Sequence, residues 1–133
     1  MKNFIVYGMI GWCLEIIWTG VGALLSGDPR LTAKTYLWMF LIYGLAVFLE
    51  PVHDLIRSWP TLVRGLFWML LFFTIEYLTG WLLRFLVGAS PWNYAGAALQ
   101  IDGLIRLDYA PVWFLLGLLY EKLHDRLPRV IAR

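Results

Sequence analysis

Charge is scarce in this chain. Asp, Glu, Lys and Arg make up 15% of its 133 residues, against about 25% in an ordinary soluble domain. Cysteine occurs once, at Cys13, so no intramolecular disulfide can form and a buried, inert thiol is expected. Histidine occurs only at His53 and His124. No Gly-x-x-x-x-Gly-Lys-Ser/Thr loop is present, so the chain does not itself hydrolyse a nucleotide. There is no serine nucleophile elbow either; the sequence leans away from an enzyme and assigns no catalytic residue. Repeats and low-complexity tracts are absent. The formal net charge is +2 and its cations are scattered, which argues against a nucleic-acid footprint.

What is abundant is apolar surface. Hydrophobic residues make up 61% of the chain and the mean hydropathy is +0.70. A soluble chain of this size could not hide so much, so the sequence predicts an integral membrane protein, with residues 1–133 forming one transmembrane domain. A spanning helix needs about 20 mostly apolar residues. Runs over residues 4–25, 36–56, 62–87 and 107–123 meet or approach that length. The last is the weakest, because its charge-free core "YAPVWFLLGLLY" is short. The opening "MKNFIVYGMIGWCLEIIWTG" has the basic start of a signal peptide, but it carries Glu15 and lacks a small-x-small cleavage site, so it reads as a retained first helix. The expected fold is all-α: a four-helix membrane bundle. Between helices three and four, "GASPWNYAGAALQIDGLIRL" is too short to span and too ordered for a linker. It is expected to be interfacial or re-entrant, with Trp92 and Tyr94 at headgroup level.

Four spans put both termini on one side. Lys2, Arg57, Arg64, Lys122, Arg126, Arg129 and Arg133 share it, and Arg30, Lys34, Arg84 and Arg106 take the other. The excess of cations favours cytoplasmic N and C termini in a multi-pass protein of the cell membrane, with room for a minority dual topology.

Each expected span carries one glutamate: Glu15, Glu50, Glu76 and Glu121. A charge at the bilayer centre costs about 2.5–3.5 kcal/mol on the lenient insertion scale. Glu50 and Glu121 lie near span ends and could reach water by snorkelling. Glu15 and Glu76 lie deeper, so they are expected to face inward, either lining a polar centre or joining helices by hydrogen bonds. Arg84, two turns beyond Glu76, is a candidate partner or a marker of the outer interface. Glu50-x-x-His53 and Glu121-x-x-His124, taken with Glu15 and Glu76, also form the ligand inventory of a di-iron carboxylate bundle. The different depths of these residues weigh against that di-metal reading. Eight tryptophans and seven tyrosines are expected mostly as belt and packing residues. Gly8, Gly11, Gly20, Gly22 and Gly80 would permit close helix contact.

The stretch "EYLTGWLLRFLVGASPWNYAGAALQIDGLIRLDYAPVWF" resembles the small four-helix membrane proteins described as ABC-transporter permeases of the CmpB type, most closely the branch of the vertebrate transmembrane protein 229 proteins. The family pattern falls here on Glu76, Tyr77, Thr79, Gly80, Trp92, Tyr94, Gly103, Ile105, Asp108, Tyr109, Ala110, Trp113 and Phe114. "GWCLEIIW", "LWMFLIYG" with Glu50, and Glu121 extend it over nearly the whole chain. The family's aspartate between Trp92 and Tyr94 is Asn93 here, which removes a charge. The pattern does not require His53 or His124, which leaves the four glutamates as the shared polar feature.

The resemblance and the carboxylates together imply a permease-like or channel-like subunit with a polar centre at Glu15, Glu50, Glu76, Arg84 and Glu121. It would act with a second copy or a partner membrane chain, and with a separate ATPase if the ABC relationship holds. Two alternatives stand beside it. One is a lipid-binding protein or membrane enzyme, whose 92–102 segment covers a cavity while Asp102, Arg106 and Asp108 meet a headgroup, with Asn93 and Trp113 as further contacts. The other is an assembly protein whose glutamates only join helices.

Overall fold

Helices form where the apolar runs predict them, and the breaks fall at identifiable residues. The computed structural model describes residues 2–131. The first helix, α1, is Lys2–Leu25. The expected second span is interrupted. It consists of α2 (Leu37–Gly44), a 3-10 turn at Leu45–Leu49, and α3 (Glu50–Ile56). Pro51 gives the reason: it has no N–H to offer Val47 O in α-helical register. The Glu50 N–H takes that carbonyl instead, tightening the preceding turn. The third span, α4, is Thr61–Val87. It ends at Gly88 in the left-handed region (φ 82°), whose N–H bonds Arg84 O at 3.1 Å, a common helix stop. The last helix, α5, runs Ala110–Ile131, with Pro111 in its first turn, where no hydrogen bond is lost.

Three of these stretches, Lys2–Leu25, Leu37–Ile56 and Thr61–Val87, are long and apolar enough to cross a membrane. The expected fourth span is helical, but it begins at Ala110 rather than 107 and continues past 123. Large apolar side chains such as Ile17, Leu70 and Phe85 are exposed, as lipid-facing surface should be. Cys13, expected to be buried, is exposed on α1.

By contacts the chain divides into two units, residues 1–52 and 53–133. In the first, α1 packs on α2 and the 3-10 turn. Phe4 and Trp12 approach Phe40 edge-on, with ring centroids 6.2 and 6.1 Å apart. Gly8 and Gly11 bring α1 against Phe40 and Tyr43, whereas a Cβ at Gly22 would point into open space. In the second, α4 packs on α5 around Trp68, which is fully buried and meets Tyr120 edge-on. Gly117 of α5 makes room for Trp68, and Gly65 of α4 for Phe114.

Between α4 and α5 the chain forms a small antiparallel hairpin, β1 (Gln100–Ile101) with β2 (Ile105–Arg106), in which Gln100 faces Arg106. Asp102 (φ 53°) and Gly103 (φ 68°) make its turn, a role suited to Asp-Gly.

Candidate functional site

The polar site of the second unit is built by the 88–109 segment folding back along α4. The left-handed turn at Gly88 reverses the chain. Asn93 Oδ1 accepts the Ala95 N–H at 2.9 Å, and Tyr94 N–H bonds Gly103 O at 2.8 Å. Trp92 Nε1 donates to Leu104 O at 2.9 Å. Leu104 and Trp92 rest against Gly80, where an added Cβ would lie 2.9 and 3.1 Å from their side chains. The segment thus returns about 12 Å below the end of α4, eight residues at 1.5 Å each, and Tyr94 reaches lower still. Its hydroxyl donates to Glu76 Oε1 at 2.9 Å. Trp92 and Tyr94, expected at headgroup level, satisfy their polar atoms inside the protein.

Glu76 is therefore held by one oxygen. Its Oε2 is enclosed with no hydrogen bond, as is Trp113 Nε1 of α5, and Trp113 is the second polar neighbour of the carboxylate. Beyond Tyr94 the aromatic face continues: Tyr109 lies edge-on to it at 5.9 Å, and the Arg106 guanidinium sits 4.4 Å from the Tyr109 ring centre. Arg106 is tied to Asp108 by two hydrogen bonds of 3.0 and 2.5 Å. Those bonds raise the guanidinium pKa above its ordinary value. Arg84, considered as a partner for Glu76, donates instead to Asp102 O at 3.1 Å, while Tyr77 OH donates to Asp102 Oδ2 at 2.8 Å. Both contacts anchor the hairpin to α4.

Gly103 is the sharpest point of this arrangement. Its φ is positive, and a Cβ would sit 2.8 Å from Asn93 Oδ1. Gly103→Val should cost about 1–2 kcal/mol for the left-handed backbone alone. The effect is expected to be local: hydrogen exchange at the Tyr94 amide accelerates while the α4 amides keep their protection.

Glu121 stands apart from Glu76. It is 5% exposed, not snorkelling to water. Arg64 Nε lies 3.0 Å from both its oxygens, and Trp68 Nε1 donates to Oε1 at 2.8 Å. Glu76 lies eight positions beyond Trp68, about 12 Å along α4, so the two carboxylates occupy different levels of the unit. In the first unit, Glu50 Oε1 accepts from Asn3 Nδ2 at 2.9 Å. Glu15 lies beside Tyr43 and Thr35, with its Oε2 enclosed and without a hydrogen bond. Of the six residues in the di-metal inventory, the structure gathers His53, Glu121 and His124 at one end of the second unit. Asp125 joins them, a residue that sequence reasoning missed.

Residues 2–132 match the model of a family described as "Putative ABC-transporter type IV". The match covers the family as a whole and does not distinguish a branch. No solved structure matches the chain.

Proposed function

We propose, from the premise that the chain belongs to the ABC-transporter type IV family, that it is a permease-like or channel-like membrane subunit whose intramembrane carboxylates Glu15 and Glu76 take part in passing a cation or a polar cargo. The observation that supports this best is the state of Glu76. It lies within a candidate span, one oxygen is fixed by Tyr94, and the other is enclosed with only the Trp113 indole as a polar neighbour. Intramembrane acids of this kind typically mark ion and substrate pathways, and Glu15 repeats the pattern in the other unit. Glu50 and Glu121, each bound by side chains of their own unit, take the helix-joining role. So small a chain acts with a second copy or a partner membrane chain. It contains no nucleotide loop, so any ATP-driven step belongs to a separate ATPase.

The test is reconstitution of the full chain in liposomes, following proton and potassium flux with an entrapped pH-sensitive dye and an ion-selective electrode. Wild-type protein is expected to exceed empty vesicles, and Glu76→Gln and Glu15→Gln each to remove the flux at unchanged helix content. Equal flux from wild type and the double variant would discard the pathway and favour an assembly protein.

A further inference from the structure

The chain's two histidines meet at the corner where α3 leads into α4. His53 is 2% exposed and its ring lies edge-on to His124, with centroids 5.0 Å apart. His53 Nε2 is 3.4 Å from Asp125 Oδ1. One ligand atom from each of His53, His124 and Asp125 falls within 4.8 Å of the others. On the far side of the ring, His53 Nδ1 is enclosed without a hydrogen bond, 3.6 Å from Glu121 Oε1. Glu121 is itself fixed by Arg64 and Trp68.

We propose that His53, His124 and Asp125 form a binding site for one first-row divalent metal ion of the zinc type, with Glu121 orienting His53 from behind.

The donor set selects the class of ion. Two imidazoles and one carboxylate suit zinc, cobalt or nickel, whereas magnesium and calcium take oxygen donors. The spacing also fits. Two ligands each about 2.1 Å from a tetrahedral ion lie roughly 3.4 Å apart, which is the His53–Asp125 separation. The wider edges to His124, whose Nε2 lies 3.9 Å from Asp54 Oδ1, close by rotation of the half-exposed Asp125 side chain. A carboxylate behind a ligating histidine fixes its tautomer and ring orientation. Glu121 is placed to do so, because Nδ1–H directed at it leaves the Nε2 lone pair facing Asp125.

One cation already competes for this position. Arg57 is hydrogen-bonded to Asp125 Oδ1 and lies 3.2 Å from His53 Nε2. Its side chain is 55% exposed and lies 3.7 Å from Asp54, which can receive it when it swings out. Metal binding is thus an exchange of one cation for another, and Arg57 sets its affinity. This site needs one ion and uses Asp125, unlike the two-metal inventory read from the sequence, and it is independent of Glu15 and Glu76.

The test is titration of tag-free full-length protein in detergent with cobalt(II), followed by visible absorption and by displacement with zinc(II). One ion per chain is expected. His124→Gln and Asp125→Asn should each weaken binding by at least about tenfold, and Arg57→Gln should tighten it. Because Asp125 and Arg57 are half-exposed, their variants report on the site without disturbing the buried Glu121 network. No cobalt spectrum in either wild type or Arg57→Gln would overturn the proposal, as would undiminished affinity in both His124→Gln and Asp125→Asn.

Discussion

Arg64→Met is expected to destabilise the α4–α5 pair by about 3–5 kcal/mol, the usual cost of removing one partner from a buried ion pair. Glu121 is almost completely enclosed, and Arg64 meets both of its oxygens at 3.0 Å. The same guanidinium donates to Arg57 O at 3.3 Å and Trp59 O at 2.6 Å, so it also closes the chain before α4. Methionine keeps most of the apolar stem in place, which isolates the loss of charge and donors. Trp68 Nε1 would remain as a single neutral donor to a buried carboxylate that has lost its paired cation. Unfolding in detergent, followed by far-ultraviolet circular dichroism, should show the loss. Adding Glu121→Leu should recover much of it, because replacing both members of a buried pair with apolar groups is often neutral or stabilising. Failure of the double variant to recover would show that the Arg57 and Trp59 carbonyl contacts dominate.

Gly117→Val is expected to produce the second large loss. In an ordinary helix, Gly→Ala gains about 1 kcal/mol of propensity, so the expected sign here is the reverse of the default. A Cβ at 117 would meet Trp68 at its Cβ and at its Cγ. Those atoms stand close to the α4 backbone, so no flexible tip can move aside. Overpacking a tight contact costs about 1–3 kcal/mol. Displacing the indole also puts its 2.8 Å bond to Glu121 at risk, a charge-assisted bond contributing about 1.5–3 kcal/mol. Gly22, which has nothing within 4 Å, is the control: Gly22→Ala should be neutral or stabilising in the same melt. Equal effects at the two positions would contradict the close approach of α4 and α5.

Much of the helical layout was legible because membrane helices announce themselves by length and apolar content. α1 and α4 end within two residues of the sequence reading, since "SGDPR", Pro60 and Gly88 are local stops. The break in the second span is encoded by Pro51, which follows an apolar run long enough to read as part of one helix. α5 continues past residue 123, where the expected span ends, and the short charge-free core "YAPVWFLLGLLY" gives no sign of that extension. Glu121 is in fact a packing residue, buried against Arg64 and Trp68, and only tertiary contact reveals that. Glu76 stood out as a lone carboxylate. Its partner Tyr94, 18 positions later, could not be assigned, because the fold-back depends on the Gly88 and Asp102–Gly103 turns acting together. The Asp-Gly pair was the available signal for that hairpin. Asp125 carried none, because its nearness to His53 spans 72 positions.

The division of contacts at residue 52 has a consequence for synthesis. The α1–α2 partnership is complete, Asn3–Glu50 bond included, within the first 50 residues. The growing chain can therefore assemble one helical hairpin while the ribosome is still translating α4, and the α4–α5 pair forms afterwards with its own glutamate lock. Vectorial production, amino end first, then separates two packing problems in time, so a defect in the later hairpin need not corrupt the earlier one.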